Sequence, residues 1–333
     1  MAPFISVIIP NRNGVATIDK CLAAVFSSGY PDFEVIVVDD GSEDNSVAVI
    51  RTFPCELLRL EKHSGAARAR NVGAAHSKGE ALFFTDADCL LQEDTLSIAS
   101  KTLAGEGPTT VVGGTYTRTP YDKRFFSRFQ SVFIHYSETK NADHPDYVAT
   151  HAMVIDARTF RKNNGFAEAF LPILEDVEFS HRLRRAGYTL VVHPELQVQH
   201  VFNYSFLGSL RNAVKKSLYW TIYSLGNGDL LADSGAASLQ LKLNVGAYVL
   251  SALLLLLAFP IGRPFLLPLI PGVILFNLVL NRGLIRALYR TGGAVFAAGA
   301  TLYYVMVYPL AVGTGALLGA LRYLAMPKRA RPA

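Results

Sequence analysis

The chain has 333 residues; 50% of them are hydrophobic, only 18% are charged, and the mean hydropathy is +0.25. This balance is too apolar for an ordinary soluble enzyme, and the length suffices for one large domain with a second region. The formal net charge is +5, and the sequence contains no zinc-finger or RNA-binding signature. We therefore expect an anionic membrane surface, and not nucleic acid, to be the partner of the positive charge.

The cysteines and the N-terminus indicate that the polar part of the chain is cytosolic. The three cysteines, Cys21, Cys55 and Cys89, are scattered without metal-ligand spacing, which predicts reduced thiols. The N-terminus enters a strand-like run without a basic segment and an apolar core before it, so we expect no secretory signal.

Strand-like and helix-like segments alternate with short connections in the first part of the chain. Runs of β-branched and aromatic residues predict strands, and helical spacing of apolar residues predicts helices between them. The predicted strands are 4–10, 33–42, 55–60 and 81–88, and the predicted helices are 14–29, 44–53 and 65–79. This alternation predicts an α/β, Rossmann-like domain with a mixed, mostly parallel sheet and flanking helices.

The pattern is less regular from 96 to 240. We predict strands at 109–119 and 188–194, and an amphipathic helix at 176–187 with an apolar inner face. A further helix is predicted at 204–226, where Arg211, Lys215 and Lys216 share one face and apolar residues share another. With Trp220 and several tyrosines beside them, this favours an interfacial helix on anionic lipid; a helix packed on the head is the alternative.

Three uncharged stretches follow, at 243–260, 264–280 and 291–321. The first has the length of a bilayer crossing, the second contains three prolines, and the third is too long for one upright helix. The third stretch predicts either one tilted span with a re-entrant piece or two short spans divided at Pro309. Buried core helices are the alternative, but uncharged runs of this length are rare in soluble proteins.

Basic clusters flank the uncharged stretches and predict their orientation. The clusters are Arg211, Lys215 and Lys216; Arg282, Arg286 and Arg290; and Lys328, Arg329 and Arg331. Because positively charged segments stay on the cytoplasmic side, we expect all three clusters in the cytoplasm. This predicts an even number of crossings, or two spans with a re-entrant hairpin.

These features predict four regions along the chain. They are a head at 1–203, an interfacial helix and linker at 204–240, a membrane region of two to four transmembrane segments at 241–325, and a basic tail at 326–333. We expect a multi-pass protein of the inner (plasma) membrane whose head and basic tail are cytoplasmic.

Acidic residues end two of the predicted strands, where ligands collect in open α/β sheets. In VVDDGSEDNS (37–46), Asp39 and Asp40 suit hydrogen bonds from a base N–H or ribose hydroxyls; an Asp-Gly turn before a helix cap is the alternative. In TDADC (85–89), Asp86 and Asp88 suit a divalent cation shared with a diphosphate, because Mg²⁺ and Mn²⁺ take carboxylate and phosphate oxygens. A helix N-cap is the alternative there.

A third acidic site opens the predicted helix at 176–187. Glu175 and Asp176 lie where the helix dipole favours anions, so simple capping is one interpretation. The other is a general base for a sugar hydroxyl. His200, after a strand-like run, is a candidate metal ligand because imidazole suits Mn²⁺; a structural histidine is the alternative.

Taken together and in order, four segments resemble the family 2 inverting glycosyltransferases with the GT-A fold. The segments are SVIIPNRNG, VVDDGSEDNS, GAARARNVGAAHSKGEALFFTDAD and ILEDVEFSHRLRRAGYTLVVHPELQVQH. The resemblance covers residues 4 to 205. It implies a metal-dependent, inverting hexosyltransferase that uses Mn²⁺ or Mg²⁺ and a nucleotide-sugar, with uracil as the favoured base.

The resemblance also assigns a role to each candidate residue. It places nucleotide contacts at Pro10, Asn11, Asn13, Asp39, Asp40, Arg70, Asn71 and Asp86. Asp88 ligates the metal, with Asp86 and His200 completing the protein ligands. Asp176 is the catalytic base, and Glu175 is its neighbour or rival.

The sequence departs from the family pattern in two places, and both bear on donor choice. Asn11 and Arg12 stand where Thr and Tyr are common, and His151 stands where a small residue usually precedes the donor-sugar contacts. A retaining double displacement needs a nucleophile beside the anomeric carbon, and the sequence singles out none.

The leading hypothesis is a membrane-anchored transferase that moves a sugar to a hydroxyl of a lipid-linked or membrane-proximal glycan of the cell envelope. The first alternative is a polyprenyl-phosphate glycosyltransferase, whose ionised acceptor needs no base. A processive polysaccharide synthase is disfavoured, because SLRNAVKKSLYW only loosely matches a Q-x-x-R-W segment. The last alternative is a membrane scaffold whose head binds nucleotide without turnover.

Overall fold

The computed structural model of the chain describes residues 2–169, 171–258 and 266–327. The predicted basic cluster at 328–331 and the start of the second uncharged stretch lie outside the described residues. The chain forms two compact units: a first unit of residues 1–123 and 137–203, and a second unit of residues 124–136 and 204–333. The segment 124–136 therefore groups with the second unit, although the predicted regions include it in the head.

One eight-stranded sheet organises the first unit. Its strands are β1 (Ile5–Asn11), β2 (Phe33–Asp39), β3 (Glu56–Arg59), β4 (Ala81–Phe84), β5 (Cys89–Leu91), β6 (Thr110–Tyr116), β7 (Met153–Asp156) and β8 (Thr189–His200). They lie in the order β3-β2-β1-β4-β7-β6-β8-β5. Only β5 and β7 pair antiparallel to their neighbours, so the predicted mixed, mostly parallel sheet is confirmed.

Helices flank this sheet. They are α1 (Ile18–Phe26), α2 (Ser46–Ile50), α3 (Ala66–His76), α4 (Thr95–Glu106), α6 (Ala157–Lys162) and α7 (Glu175–Arg185). The helix α5 (Phe125–Thr139) begins in the second unit and ends in the first. The predicted strands and helices of residues 4–88 all occur: β1 is shifted by one residue, the other elements have shorter bounds, and α7 buries its predicted inner residues. The sequence analysis did not identify the helices α4, α5 and α6 or the short strands β5 and β7.

The helix α3 approaches the sheet closely because its inner face consists of small residues. Ala69, Gly73 and Ala74 are buried, and a Cβ added at Gly73 would lie 2.6 Å from Cγ2 of Ile8 in β1. Only glycine allows this separation, so the helix backbone rests directly on the strand. Arg70, in the same helix, is thereby held beneath the surface with 3% exposure.

Four phenylalanines form the core between β4 and α7. The rings of Phe84, Phe160, Phe166 and Phe179 have neighbouring centroids 5.0–5.3 Å apart, in tilted and edge-to-face arrangements. Such aromatic pairs contribute about 0.5–1.5 kcal/mol each beyond their buried area. The cluster fixes the end of β4 relative to the start of α7, and both of these segments carry predicted site residues.

The second unit is helical. Beyond the first part of α5 it contains α8 (Phe206–Asn227), α9 (Leu239–Ala258), α10 (Leu269–Leu280), α11 (Arg282–Leu302) and α12 (Tyr308–Ala325), with a π-helical turn at Tyr303–Val307. The helix α8 packs along α12 through small residues: a Cβ on Gly315 would overlap Ser217, and one on Gly319 would overlap the Leu218 carbonyl. Val214 and Leu218, which the helical spacing places on the apolar face of α8, lie at this contact, and Ile222 on the same face is fully buried, whereas Phe206 at the start of α8 is 43% exposed.

Two helical segments of the described chain have the length and hydropathy of a membrane crossing. They are Leu239–Ala258 and Arg282–Ala325, whose most apolar 18-residue windows have mean hydropathies of 1.9 and 1.6. The second is 44 residues long. Within it, Pro309 lies in the first turn of α12, directly after the π-helical turn. Its backbone is non-helical at Gly293, where φ is +74°. Membrane insertion and the number of crossings stay predictions.

Polar side chains link the apolar helices of the second unit. Asn277 donates to Asn244 Oδ1 at 2.7 Å, Asn281 donates to Asn277 Oδ1 at 2.9 Å, and Asn244 donates to the Tyr304 carbonyl at 2.8 Å. The Tyr304 hydroxyl donates to Asn281 Oδ1 at 3.2 Å and completes the ring of bonds. Because all four residues are buried, these bonds favour one helix register over alternatives in which the amides lose their partners.

Candidate active site

The ends of β1 and β2 meet at one edge of the sheet, as their parallel register requires. Asn11 Nδ2 donates to Asp39 Oδ1 at 3.0 Å and to Ser42 Oγ at 3.2 Å. The Asn11 Oδ1 atom is buried and has no hydrogen-bond partner among the described residues. A buried amide oxygen without a donor costs desolvation energy, so this atom suits a ligand N–H or hydroxyl.

The two carboxylates predicted to bind the nucleotide at this edge, Asp39 and Asp40, both accept hydrogen bonds from the protein backbone. Asp39 is fully buried and accepts from the Ser42 N–H at 3.2 Å. Asp40 accepts from the backbone N–H groups of Ser64 at 2.6 Å and Gly65 at 2.9 Å, and its other contact is His63 Nδ1 at 2.7 Å. Asp40 therefore shapes the loop that leads into α3. Direct contact of either carboxylate with a nucleotide stays a prediction.

Two other residues predicted to bind the nucleotide, Asn13 and Asn71, form side-chain hydrogen bonds with loop backbone. Asn13 has φ +51°, and its side chain accepts from the Glu43 N–H at 2.8 Å, so it joins the loops after β1 and β2. Asn71 donates to the Phe166 carbonyl at 2.8 Å and accepts from the Phe166 N–H at 2.9 Å. The Asn71 side chain thus fixes the segment before α7, and Pro10 lies half-buried in β1.

Arg70 connects two of the predicted acidic sites. Its guanidinium donates to Asp86 Oδ1 through Nη2 and to Glu175 Oε1 through Nη1, both at 2.5 Å. Although desolvation opposes ionisation, the Arg70 charge lowers the pKa of Asp86. The ring of Phe166 lies below the guanidinium, 6.0 Å from Cζ. A planar guanidinium is suited to such a double ion pair, because its N–H groups point in fixed directions.

Replacing Arg70 with methionine is expected to lower the free energy of unfolding by about 3–5 kcal/mol, because it leaves the Asp86 and Glu175 carboxylates without their partner. The matched control is Arg68→Met on the same helix. Arg68 is half exposed and pairs with Glu168 at 2.9 Å, so its loss should cost below about 1 kcal/mol. Urea unfolding of both variants measures the difference, and equal losses would contradict a structural bridge at Arg70.

Strand pairing brings Asp88 and His200 together across a large separation in sequence. The short strand β5 runs antiparallel to β8 with Cys89 opposite His200, and Val201 N–H donates to the Asp88 carbonyl at 2.9 Å. As a result, His200 Nε2 lies 3.5 Å from Asp88 Oδ1. The ring of Phe202 stacks on the imidazole with centroids 3.9 Å apart and fixes its orientation.

The donor atoms at this point fit a divalent cation. One atom each from Asp88, Cys89 and His200 lies within 4.8 Å of the others. Burial and the neighbouring Asp86 carboxylate raise the pKa of Asp88 to about 7, which is the electrostatic situation that a cation relieves. Burial also raises the pKa of Cys89 well above the usual thiol value, so Cys89 is a neutral thiol there. Carboxylate and imidazole donors suit Mn²⁺, with a diphosphate to complete the coordination.

Asp176 lies in the first turn of α7, beside the Arg70 bridge. Its carboxylate accepts from the Val177 N–H at 2.9 Å and from the Thr150 N–H at 3.2 Å. Burial and the neighbouring Glu175 raise the pKa of Asp176 to about 6, against the lowering effect of Arg70. A carboxylate with this pKa is ionised at neutral pH and is a stronger proton acceptor than an ordinary aspartate.

The backbone before these acids is in an uncommon conformation. Leu174 has φ +80° and ψ +19°, the left-handed region that non-glycine side chains rarely adopt. Leu174 is also buried, with 8% exposure, so its side chain is anchored while its backbone turns into α7. Such conformations cost on the order of 1–3 kcal/mol and cluster at functional sites. Here the turn delivers Glu175 and Asp176 to Arg70 and Thr150.

The structure adds a buried pair that the sequence analysis missed. Glu138 Oε2 lies 3.5 Å from His151 Nε2 and accepts a hydrogen bond from Thr115 at 2.8 Å. The His151 ring stacks on Tyr116 with centroids 4.1 Å apart. The sequence marked His151 as a departure, but no local pattern connected it to Glu138. Although burial opposes it, the charges of Glu138, Asp86 and Asp176 raise the pKa of His151.

The predicted metal ligands and the predicted base, with Arg70, thus form two groups, separate from the pair Asn11 and Asp39. In the first group, Arg70 forms ion pairs with Asp86 and with Glu175, the residue before Asp176. In the second group, Asp88, which lies two residues after Asp86 in the sequence, contacts His200. His193 belongs to β8, in line with its assignment to a strand. The arrangement places an aspartate of raised pKa, a candidate cation site and a buried guanidinium at the carboxyl edge of the sheet.

Comparison with known proteins agrees with this arrangement. Residues 6–164 match the model of Glycosyl transferase family 2, and this part of the chain is a domain of that family. Glu175, Asp176 and His200 lie beyond the matched residues.

Among curated proteins, glycosyltransferase AglE of Haloferax volcanii is 40% identical over 119 residues, 34% of this chain and 39% of AglE. Glycosyltransferase GlyG of Streptococcus pneumoniae is 29% identical over 131 residues, 38% of this chain and 44% of GlyG. The chain therefore spans less than half the length of these two relatives.

A solved structure shares the fold. The mannosyltransferase PcManGT from Pyrobaculum calidifontis, in complex with GDP-Man and Mn²⁺, superposes with a TM-score of 0.59 over 97% of this chain and 88% of that chain. The sequence identity is 19%, so this likeness concerns the fold alone. With the strand order described above, it confirms the predicted GT-A fold.

Proposed function

We propose that the chain is an inverting glycosyltransferase that moves a sugar from a nucleotide-sugar to a hydroxyl of a lipid-linked or membrane-proximal glycan. The observation that carries the proposal is the Arg70 bridge, which sets Asp86 beside Glu175 and the first turn of α7. This contact joins the predicted donor residues to the predicted base. The family 2 domain and its GT-A fold support the reaction class.

Asp176 is the catalytic base in this proposal. The carboxylate removes the proton of the acceptor hydroxyl, whose oxygen bonds to the anomeric carbon while the bond from that carbon to the diphosphate breaks. Attack opposite the leaving group inverts the anomeric configuration in one step. The Thr150 and Val177 N–H groups hold the carboxylate in position, and its raised pKa of about 6 makes it a stronger proton acceptor.

Asp88 and His200 are the proposed metal ligands, with Asp86 beside them. A divalent cation bound there supplies Lewis-acid stabilisation of the departing diphosphate. Arg70 keeps Asp86 ionised and oriented, while Phe202 holds the His200 ring. Without a cation, burial keeps Cys89 a neutral thiol, which leaves Asp88 and His200 as the proposed ligands. We infer Mn²⁺ or Mg²⁺ as the cation from the donor types.

The membrane-related part of the proposal is supported by the second unit. Leu239–Ala258 is apolar and only 17% buried over its most apolar window, which suits a helix surrounded by lipid. The helix α8 carries Arg211, Lys215 and Lys216 at exposed positions, as a helix at an anionic surface requires. A membrane-anchored enzyme of this kind has ready access to a lipid-borne acceptor.

A donor screen tests the reaction class directly. The full chain is incubated in detergent with UDP-sugars and GDP-sugars, with Mn²⁺ or with a chelator, and release of nucleoside diphosphate is measured. We expect turnover of one donor class that is lost with the chelator. Nucleotide binding without turnover for every donor and acceptor would instead favour the scaffold alternative.

The pKa of Asp176 predicts the acid limb of the pH profile. A base acts only when deprotonated, so kcat/KM should fall about tenfold per pH unit below an apparent pKa of about 6. The measurement is kcat/KM between about pH 5 and about pH 8 at saturating Mn²⁺, which keeps the metal ligands deprotonated. The residual activity of an Asp176→Asn variant should not fall at acid pH in this way. If its kcat/KM still falls below about pH 6, a group other than Asp176 is responsible for the acid limb.

A further inference from the structure

We propose that a cavity in the second unit binds the hydrocarbon chain of a single-chain lipid phosphate, whose phosphate contacts Lys216 and Lys242. The inference rests on the proposed function, because it names the class of lipid that carries the glycan whose hydroxyl accepts the sugar. The cavity has a volume of about 260 Å³ and lies among α5, α8, α9, α12 and the loop between α8 and α9.

The walls of the cavity are suited to hydrocarbon. Most of its surface comes from aliphatic and aromatic side chains, among them Phe133, Ile134, Trp220, Leu241 and Tyr308. Sugars and nucleotides need several placed donors and acceptors, whereas this lining offers few. A lipid chain gains free energy in proportion to the apolar surface that it removes from water, and it needs no such partners.

The volume favours one chain over two. An apolar cavity of about 150 Å³ accommodates one benzene molecule. By that measure a cavity of about 260 Å³ holds a segment of a single hydrocarbon chain. A glycerophospholipid would have to place two chains side by side, so the cavity selects against it.

The charges of the lining select an anionic head group. Lys216 on α8 and Lys242 on α9 line the cavity, and the lining includes no aspartate or glutamate. The nearby acids of the connecting loop, Asp229 and Asp233, are not lining residues. Lys242 Nζ donates to the Ala232 carbonyl at 2.5 Å, which fixes this ammonium beside the loop. Ammonium–phosphate hydrogen bonds are charge-assisted and stronger than neutral ones.

The connecting loop provides an apolar approach to the cavity. Leu230 and Leu231 line it, yet they are 43% and 73% exposed. Adjacent leucines exposed at the rim of an apolar cavity mark a surface that meets lipid or a ligand. A packing void would instead be enclosed by buried side chains. The loop and the two lysines together match an amphiphile with an anionic head.

Tryptophan fluorescence tests this inference, because Trp220 lines the cavity and is the single tryptophan of the chain. The full chain in detergent is titrated with geranylgeranyl phosphate, with geranylgeraniol and with inorganic phosphate. We expect a saturable change with the lipid phosphate, binding at least about tenfold weaker with the alcohol, and no change with phosphate alone. Equal binding of the alcohol, or a response to inorganic phosphate, would overturn the proposal.

Variants localise the binding. Lys216→Gln combined with Lys242→Gln should weaken lipid-phosphate binding about tenfold or more, while Lys215→Gln, an exposed neighbour outside the lining, should not. Ala316→Phe fills the cavity and should abolish the fluorescence change, with unfolding temperature monitored to verify the fold. Unchanged affinity in both the double variant and the filled variant would place the lipid elsewhere.

Failure of this inference can be distinguished from failure of the proposed function. Lipid binding is measured without a nucleotide-sugar and should persist in Asp176→Asn, where transfer is lost. Sugar transfer to a water-soluble acceptor without any fluorescence response to lipid phosphate would contradict lipid binding in the cavity but not the proposed function. The expected fluorescence response without turnover of any donor would contradict the proposed function but not lipid binding in the cavity.

Discussion

Replacing Asp176 with asparagine is expected to lower kcat for sugar transfer about 100- to 10,000-fold, the contribution of a positioned general base. The amide keeps the size and the backbone contacts of the carboxylate but cannot accept the hydroxyl proton. Because Asp176 is not a predicted metal ligand, Mn²⁺-dependent binding of the nucleoside diphosphate should remain within about twofold. The measurements are single-turnover transfer and a thermal-shift titration of UDP or GDP with Mn²⁺.

The outcome also separates two reaction classes. Asp143→Asn, a change of an exposed acid on the surface, is the matched control and should retain full activity. A phosphate acceptor is already ionised and needs no base, so full activity of Asp176→Asn would favour the polyprenyl-phosphate alternative. If Glu175→Gln lost as much transfer as Asp176→Asn while keeping the fold, Glu175 would share or take the role of base.

Replacing Asp88 with asparagine should lower kcat/KM at least about 100-fold, because a preorganised charge stabilises the departing diphosphate. The thermal shift produced by UDP with Mn²⁺ should disappear together with activity. Without metal, the variant should unfold at a higher temperature than the parent at neutral pH. The reason is that the raised pKa of Asp88, about 7, means that its ionised form is disfavoured in the folded state.

Two controls sharpen this result. Asp94→Asn alters an exposed aspartate at the start of α4 that makes no side-chain capping bond, and it should change neither activity nor metal binding. Cys89→Ser tests whether the thiol is a ligand; since it is neutral, we expect Mn²⁺ binding to be retained. Full metal-dependent activity in Asp88→Asn would contradict a cation site at this position.

The sequence predicted the elements whose signal is local. The strands β1, β2 and β4 contain buried apolar runs, and acids follow the runs of β2 and β4 within two residues, so both the strands and the candidate site could be located. The helix α7 has its acids in the first turn and its arginines in the last, as the helix dipole favours. The apolar stretches after residue 240 were equally clear from composition.

The remaining features depend on contacts between distant residues. The strands β5 and β7 are 3 and 4 residues long, too short to show a period, and they form because existing strand edges need partners. The Arg70 bridge joins residues 105 positions apart, and nothing in the local sequence of α3 indicates that Arg70 is buried. The hydrogen bonds that Asp40 accepts from the loop before α3 could not be predicted either, because the donors are backbone N–H groups, which leave no signal in the sequence.

The pairing of β5 with β8 has a consequence for synthesis of the protein on the ribosome. Cys89 finds its partner only when residue 200 has emerged, although β1, β2 and β4 can pair much earlier. A nascent chain released before that point would carry Asp86 and Asp88 without the imidazole, and translation products of this length should be unable to retain manganese.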